Sequence, residues 1–166
     1  NALPAPITGP TRVCVGDSIT LTDADPGGIW TSVPTTVATI GSLTGVVTGV
    51  SGGTALITYR LTTTGCVTFY TVTVDPTPGP IVGPDSLCVG PVPTPYTAPG
   101  GGAWSINPSY AFIDGSGNVT GFPPGGPAVI TYTHLVTGCI ATKTVMINAL
   151  PAPITGRTTV CVGDTI

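Results

Sequence analysis

The segment Thr64-Gly65-Cys66-Val67-Thr68 recurs as Thr137-Gly138-Cys139-Ile140-Ala141, and the rest of the sequence can be laid out from this repetition. The other cysteines share a second context: Val13-Cys14-Val15-Gly16, Leu87-Cys88-Val89-Gly90 and Val160-Cys161-Val162-Gly163. We call the cysteines of this second context early and those of the first context late. Early and late cysteines alternate along the chain, which indicates two complete repeats and the beginning of a third.

The repeats have two lengths. Cys14 and Cys88 are 74 residues apart, Cys88 and Cys161 are 73 apart, and Trp30 aligns with Trp104. Residues 148–166 differ from residues 1–19 at only three positions, so the third repeat is closer to the first than the second is. We therefore predict an array with a long period of 147 residues. The domains are assigned as repeat 1 at 1–75, repeat 2 at 76–148, and a linker with the first strand of a third repeat at 149–166.

Composition favours a β-rich, secreted protein. Only 7% of the residues are charged and the net charge is −3, without the basic cluster that nucleic-acid binding requires. The hydrophobic content of 41% predicts a packed core despite 24 Gly and 19 Pro residues. No apolar run approaches the roughly 20 residues that cross a bilayer, so we expect no membrane insertion. Paired cysteines favour an oxidising, extracellular or cell-surface location. The sequence has no signal peptide and no initiating Met, so we interpret it as a mature product or a segment of a longer protein.

Alternation of apolar and polar residues predicts short strands, and no helical periodicity is present. In repeat 1 the strands are expected at 11–15, 18–22, 29–32, 37–40, 46–50, 54–62 and 67–75. Repeat 2 follows the same pattern at 103–106, 111–113, 118–122, 128–136 and 140–148. Its second strand is expected to be an edge or irregular, because Pro91, Pro93 and Pro95 have no N–H to donate. The predicted fold class is all-β, with tandem immunoglobulin-like two-sheet sandwiches of about seven strands joined by stiff Pro-rich linkers.

Five phrases of repeat 1 carry a family resemblance. They are Cys14-Val15-Gly16-Asp17, Gly28-Ile29-Trp30-Thr31-Ser32, Val37-Ala38-Thr39-Ile40, Gly45-Val46-Val47-Thr48-Gly49-Val50 and Gly53-Thr54-Ala55-Leu56-Ile57-Thr58-Tyr59. Together they resemble the bacterial immunoglobulin-like group 2 domain, across nearly all of repeat 1 and more loosely across repeat 2. The resemblance implies a tandem module of large secreted or surface proteins, with no catalytic residues and no cofactor.

In such a sandwich the first and last strands run side by side. We therefore expect Cys14 to pair with Cys66 and Cys88 with Cys139, tying the first strand of each repeat to the start of its last strand. Cys161 is expected to find its partner in the next repeat. Each such bond closes a loop of about fifty residues and is expected to add a few kcal/mol to a small core.

Few residues are candidates for chemistry. His134 is the single histidine. It is interpreted as an edge-strand or hairpin surface residue and not as a catalytic base, because a base needs a nucleophile and an orienting group and repeat 1 has Leu61 at its place. Asp23 and Asp25 are a weak calcium candidate, with an Asx-type loop as the alternative. Asn118-Val119-Thr120 matches a glycosylation sequon, although Asn also suits a hairpin turn.

Aromatic residues are the remaining candidates. Trp30 and Trp104 are expected to be buried core residues. Four others are expected to be exposed and are candidates for stacking on sugar rings, with cross-strand pairing as the alternative: Phe69, Tyr70, Tyr96 and Tyr110.

Two functions from different classes remain, and neither is enzymatic. The first is a structural repeat of an extracellular fibre, filament or stalk whose partners are copies of itself. The second is an adhesin arm that binds a glycan or a surface protein. The scarcity of charge favours the first, because weak repulsion suits a protein that lies permanently against copies of itself.

Overall fold

The computed structural model describes residues 3–153 and residue 162, and these form strands, turns and irregular segments without a helix. Contacts divide the chain into two compact units. Unit 1 comprises Asn1–Ile81, Ala98–Ala103 and Tyr132–Ala141, and unit 2 comprises Val82–Thr97, Trp104–Thr131 and Thr142–Ile166. The predicted all-β class is confirmed. Across the described residues, there is no helix with the length and apolarity needed to cross a membrane.

Repeat 1 forms seven strands in two sheets. They are β1 (Arg12–Cys14), β2 (Ser18–Thr20), β3 (Gly28–Val33), β4 (Ala38–Ile40), β5 (Val46–Gly49), β6 (Gly53–Leu61) and β7 (Val67–Asp75). One sheet has the order β1-β7-β6-β3 and the other the order β2-β5-β4. Each strand overlaps a predicted segment, because the apolar alternation that marks a strand is also what buries one of its faces.

Repeat 2 contains seven strands in the same arrangement. They are β8 (Ser86–Cys88), β9 (Thr94–Pro95), β10 (Gly102–Asn107), β11 (Ala111–Ile113), β12 (Asn118–Gly121), β13 (Gly126–His134) and β14 (Ile140–Asn148). The sheets have the orders β10-β13-β14-β8 and β11-β12-β9. As predicted, the proline-rich second strand is an edge: β9 is two residues long and pairs only with β12.

The first strand of each repeat pairs with the end of the last strand, in parallel. In repeat 1, Arg12 lies opposite Thr73 and Cys14 opposite Asp75. In repeat 2, Ser86 lies opposite Met146 and Cys88 opposite Asn148. This register sets the positions of the early cysteines.

Alternate residues of the long strands fill the core of unit 1. Ala55 and Ile57 of β6 and Val72 of β7 are fully buried, and they pack with Leu21 and Trp30. Their chain neighbours Thr54, Leu56 and Thr71 are exposed. Burial of this kind contributes roughly 25 cal/mol for each Å² of apolar surface removed from water.

Unit 2 has an equivalent core. Its largest fully buried side chains include Tyr96, Val119, Ile130 and Ile147. The Tyr96 hydroxyl donates a hydrogen bond of 2.9 Å to the Pro84 carbonyl, so this buried polar group is satisfied.

Candidate functional site

A disulfide bond between Cys14 and Cys139 is the most distinctive chemical feature of unit 1. The two Cα atoms are 5.7 Å apart although 125 residues separate them in sequence. Cys14 ends β1, and Cys139 follows the turn that joins β13 to β14. The bond therefore ties a residue of repeat 1 to a residue of repeat 2.

The predicted pairing of Cys14 with Cys66 is wrong. Cys14 lies opposite Asp75, the last residue of β7, whereas Cys66 precedes the first residue of that nine-residue strand. At about 3.3 Å per residue the two cysteines lie roughly 30 Å apart along β7. A disulfide needs Cα atoms within about 7 Å. The first and last strands do run side by side, but the cysteines lie at opposite ends of the pair.

The predicted pairing of Cys88 with Cys139 is wrong for the same reason. Cys88 lies opposite Asn148 at the end of β14, and Cys139 precedes the start of that strand. Cys66 and Cys88 are free thiols, the first half-buried and the second exposed. The prediction for Cys161 lies outside the described residues.

The turn that presents Cys139 is built from short-range hydrogen bonds. The N–H of Gly138 donates to the His134 carbonyl at 2.9 Å, and the N–H of His134 donates to the Cys139 carbonyl at 2.9 Å. Gly138 has φ of 73°, which an L-residue with a side chain rarely adopts. The Cys139 N–H also faces the Thr137 hydroxyl at 3.3 Å. Cys139 is held with a fixed orientation.

His134 belongs to this same turn. Its Nδ1 lies 3.3 Å from the Thr137 N–H and 3.2 Å from the Thr137 hydroxyl. A cleft of about 290 Å³ in unit 1 is lined by His134, Thr137 and the Pro76–Gly79 linker, among others. Through these contacts with Thr137, the His134 side chain is part of the turn that orients Cys139.

The Asp23–Asp25 loop forms an Asx-type turn. Oδ1 of Asp23 accepts a 2.9 Å hydrogen bond from the Asp25 N–H, and Oδ2 of Asp25 accepts one of 2.7 Å from the Ala5 N–H. Oδ2 of Asp23 is buried without a hydrogen-bond partner. Nowhere in the described chain do three or more His, Cys, Asp or Glu side chains gather as a metal site would need.

The two tryptophans differ in burial. Trp30 is 6% exposed and lies in the core, with its ring centroid 4.5 Å from that of Tyr59. Trp104 is half-buried, which differs from the buried position expected from the sequence. Gly117 approaches Trp104 closely: a Cβ on Gly117 would lie 3.0 Å from Cε2 of the indole.

Three tyrosines considered for sugar stacking use their hydroxyls within the fold. Tyr70 donates to the Gly9 carbonyl at 2.6 Å and Tyr110 donates to the Pro127 carbonyl. Tyr96 is 1% exposed, so its predicted exposure is wrong: the residue directly follows the two-residue strand β9, and its ring is buried in the core of unit 2. Burial, together with the nearby charge of Asp85, raises the pKa of Tyr96 above its usual value. Phe69 is exposed.

Asn118 is engaged in turn chemistry. Its side-chain N–H donates to Oδ2 of Asp114 at 2.8 Å, and its backbone N–H donates to Oδ1 at 2.9 Å. Both hydrogen bonds lower the pKa of Asp114, and the one from the Asn118 side chain has the larger effect.

An ion pair between Arg12 and Asp75 was not predicted from the sequence. Nε of Arg12 donates to Oδ2 of Asp75 at 2.8 Å, and Nη2 contacts Oδ1. Asp75 is 5% exposed. A carboxylate at the end of an apolar strand is the one sequence signal for such a pair, since a buried charge needs a partner.

The sequence matches no protein-family model, and no curated protein sequence is significantly similar to it. Among solved structures, the chain is similar to a C-terminal 282-residue fragment of intimin in complex with the intimin-binding domain of its translocated receptor, Tir. The TM-score is 0.54 and the identity 21%, over 89% of this chain and 65% of the intimin chain.

Two further structures are less similar. The S-layer protein SbsC gives a TM-score of 0.38 at 16% identity, over 93% of this chain and 29% of that chain. Drosophila N-cadherin EC1-4 gives 0.37 at 11% identity, over 88% and 50%. The chain thus spans less than two thirds of each of these proteins. The likeness to the intimin fragment supports an immunoglobulin-like β-sandwich fold for this chain.

Proposed function

We infer that this chain is a structural repeat of an extracellular fibre, filament or stalk built from tandem immunoglobulin-like sandwiches of the bacterial group 2 type. The observation that carries this function is the Cys14–Cys139 bond, because it joins consecutive sequence repeats to each other. A covalent tie between repeats serves a polymer that must keep its repeats together under tension.

The sequence period supports the same function. Residues 1–19 return almost unchanged at 148–166, and near-identity at a fixed period is typical of repeat arrays. The scarcity of charge agrees with a protein packed against copies of itself. The disulfide supports an oxidising, extracellular location.

The adhesin alternative has less support in the described residues. Of the four aromatic side chains considered for sugar stacking, Tyr96 is buried and the hydroxyls of Tyr70 and Tyr110 are bonded to backbone carbonyls. Phe69 is the one ring of the four that is mostly exposed, at 59%. Ligand sites generally combine apolar and aromatic side chains with polar groups that fix the ligand's orientation.

Negative-stain images of the material from its natural source discriminate between the two functions. A fibre protein gives long filaments with a regular axial repeat. An adhesin arm gives isolated particles with a specialised tip, and that result would overturn the proposed function.

A further inference from the structure

Cys66 and Cys88 are the repeat equivalents of the two cysteines that are already bonded. Cys66 occupies the Thr-Gly-Cys context of Cys139, and Cys88 occupies the Cys-Val-Gly context of Cys14. Among the described residues, one early cysteine is bonded to one late cysteine, and one of each kind is free.

The turn around Cys66 reproduces the turn around Cys139. The N–H of Gly65 donates to the Leu61 carbonyl at 2.9 Å, and the N–H of Leu61 donates to the Cys66 carbonyl at 3.0 Å. Gly65 has φ of 76°, and the Cys66 N–H faces the Thr64 hydroxyl at 3.3 Å. These values match those of the Cys139 turn to within about 0.1 Å and a few degrees, within the scatter of regular geometry. Cys66 is presented as Cys139 is.

The strand end around Cys88 likewise reproduces that around Cys14. The residue after each cysteine donates its N–H to the carbonyl of the last residue of the long strand. Val15 donates to Asp75 and Val89 donates to Asn148, both at 2.9 Å. Val15 and Val89 also form parallel β-bridges. Val15 is bridged to Gly49, the last residue of β5, and Val89 to Gly121, the last residue of β12. Cys88 is presented as Cys14 is, and it is exposed.

We propose that Cys66 and Cys88 complete the same bridge with neighbouring repeats: Cys66 bonds the early cysteine of the preceding repeat, and Cys88 bonds the late cysteine of the following one. A disulfide then joins every pair of consecutive repeats, and each repeat contributes to two bonds. Bonds within a repeat are excluded by the length of β7 and β14. This inference rests on the proposed function, because it needs neighbouring repeats.

Formation of each bond requires an oxidant, which we assign to the class of small-molecule or protein disulfides. A thiolate of one repeat attacks the oxidant's disulfide, forms a mixed disulfide and releases one thiolate of the oxidant. The thiolate of the neighbouring repeat then attacks the protein sulfur and releases the second. Two protein thiols are oxidised, and one disulfide of the oxidant is reduced to two thiols, which take up the two protons that the protein thiols lose.

The test uses the 166-residue chain with Cys161→Ser, so that Cys66 and Cys88 are its unpaired thiols. The protein is oxidised with oxidised glutathione, the remaining thiols are alkylated, and disulfide-linked peptides are identified by mass spectrometry. We expect a ladder of oligomers on a non-reducing gel that collapses with dithiothreitol. The intermolecular peptide joins Cys66 to Cys88, while Cys14 stays bonded to Cys139.

Two further variants make the test specific. Cys66→Ser keeps only Cys88, and Cys88→Ser keeps only Cys66, so each alone is expected to stay monomeric. An equal mixture is expected to form dimers and nothing larger. Random collision would instead yield Cys66–Cys66 and Cys88–Cys88 bonds, and each variant would dimerise alone. That result, or thiols that stay fully alkylatable after oxidation, would overturn the inference.

The outcomes remain distinguishable from those of the fibre proposal. If the natural material forms filaments but its peptide map lacks a disulfide between Cys66 and an early cysteine, or between Cys88 and a late cysteine, the inference is overturned and the fibre proposal stands. Isolated, non-filamentous particles would overturn the fibre proposal, whatever bonds the 166-residue chain forms in vitro.

Discussion

The guanidinium of Arg12 and the buried carboxylate of Asp75 meet through two hydrogen bonds across the parallel β1–β7 pair. The arginine is half-exposed, whereas the aspartate is almost fully buried. Asp75 is also the residue opposite Cys14, so the ion pair lies next to the residue that carries the disulfide. Because the buried carboxylate needs a partner, this pair stabilises the edge from which Cys14 reaches Cys139.

Replacing Arg12 by Ala is expected to lower the free energy of unfolding by about 1–3 kcal/mol, because the buried Asp75 carboxylate loses its charged partner. Urea unfolding followed by circular dichroism measures the loss. Arg60→Ala is the matched control: Arg60 is exposed, has no ion pair among the described residues, and should change stability by less than about 0.5 kcal/mol. Equal effects of the two substitutions would contradict the assigned role of Arg12.

Removing the disulfide by Cys14→Ser together with Cys139→Ser is expected to cost about 4–5 kcal/mol in the chain-entropy model, because the bond closes a loop of 125 residues. Thermal unfolding under non-reducing conditions measures the effect. Cys66→Ser is the control, since Cys66 is a free thiol and its loss should leave the unfolding midpoint unchanged. A large loss of stability in Cys66→Ser would contradict the assignment of Cys66 as a free thiol.

Strand positions were predictable because one face of each strand is buried. The alternation in β6, with Ala55, Ile57 and Tyr59 buried, is visible in the sequence itself. The disulfide was not predictable, because the sequence alone does not distinguish a bond within a repeat from a bond between repeats. The parallel register of Cys14 opposite Asp75 decides between them, and only the folded strands fix that register.

The site residues divide in the same way. Turn residues such as Asn118 could be assigned from local chemistry, because their partners lie within four residues along the chain. Arg12 and Asp75 are 63 residues apart, and Gly117, which approaches the ring of Trp104, lies in a separate loop. Contacts between residues so far apart in sequence depend on the chain topology, and local residue patterns do not predict them.

Replacing Gly117 by Ala is expected to cost more than about 1 kcal/mol, because Gly117 has φ of 86° and a Cβ there would lie 2.4 Å from the Tyr96 carbonyl oxygen. Chemical unfolding gives the difference. Gly115→Ala in the same loop is the control, because a Cβ on Gly115 meets nothing within 4 Å. If both variants were as stable as the parent protein, the left-handed conformation at Gly117 would be contradicted.

Acid is expected to weaken the Asp114 loop. Hydrogen bonds from Asn118 hold the pKa of Asp114 below its ordinary 3.8, so the carboxylate binds its proton less readily when folded. Its contribution to stability is complete above the unfolded pKa and is lost as pH falls through the folded one. The stability difference between the parent protein and Asp114→Asn should therefore stay constant from about pH 6 to about pH 4.5 and shrink below pH 3.8.

Urea midpoints at each pH test this dependence. Asp17→Asn removes an exposed carboxylate that makes no side-chain hydrogen bond in the described residues, and it controls for the change in net charge. A stability difference for Asp114→Asn that did not change down to about pH 2.5 would contradict the assigned hydrogen bonds.

Replacing Trp30 by Ala is expected to destabilise unit 1 by about 3–5 kcal/mol, because the buried indole packs against Tyr59 and its removal leaves a cavity. Trp104→Ala is expected to cost less, since Trp104 keeps part of its surface in solvent. Circular dichroism measures global unfolding, and each variant retains one tryptophan whose fluorescence follows its own repeat. In a structural repeat these substitutions change stability and leave no separate binding activity to lose. A Trp30→Ala protein that kept full stability but lost adhesion to a glycan or surface protein would favour the adhesin function instead.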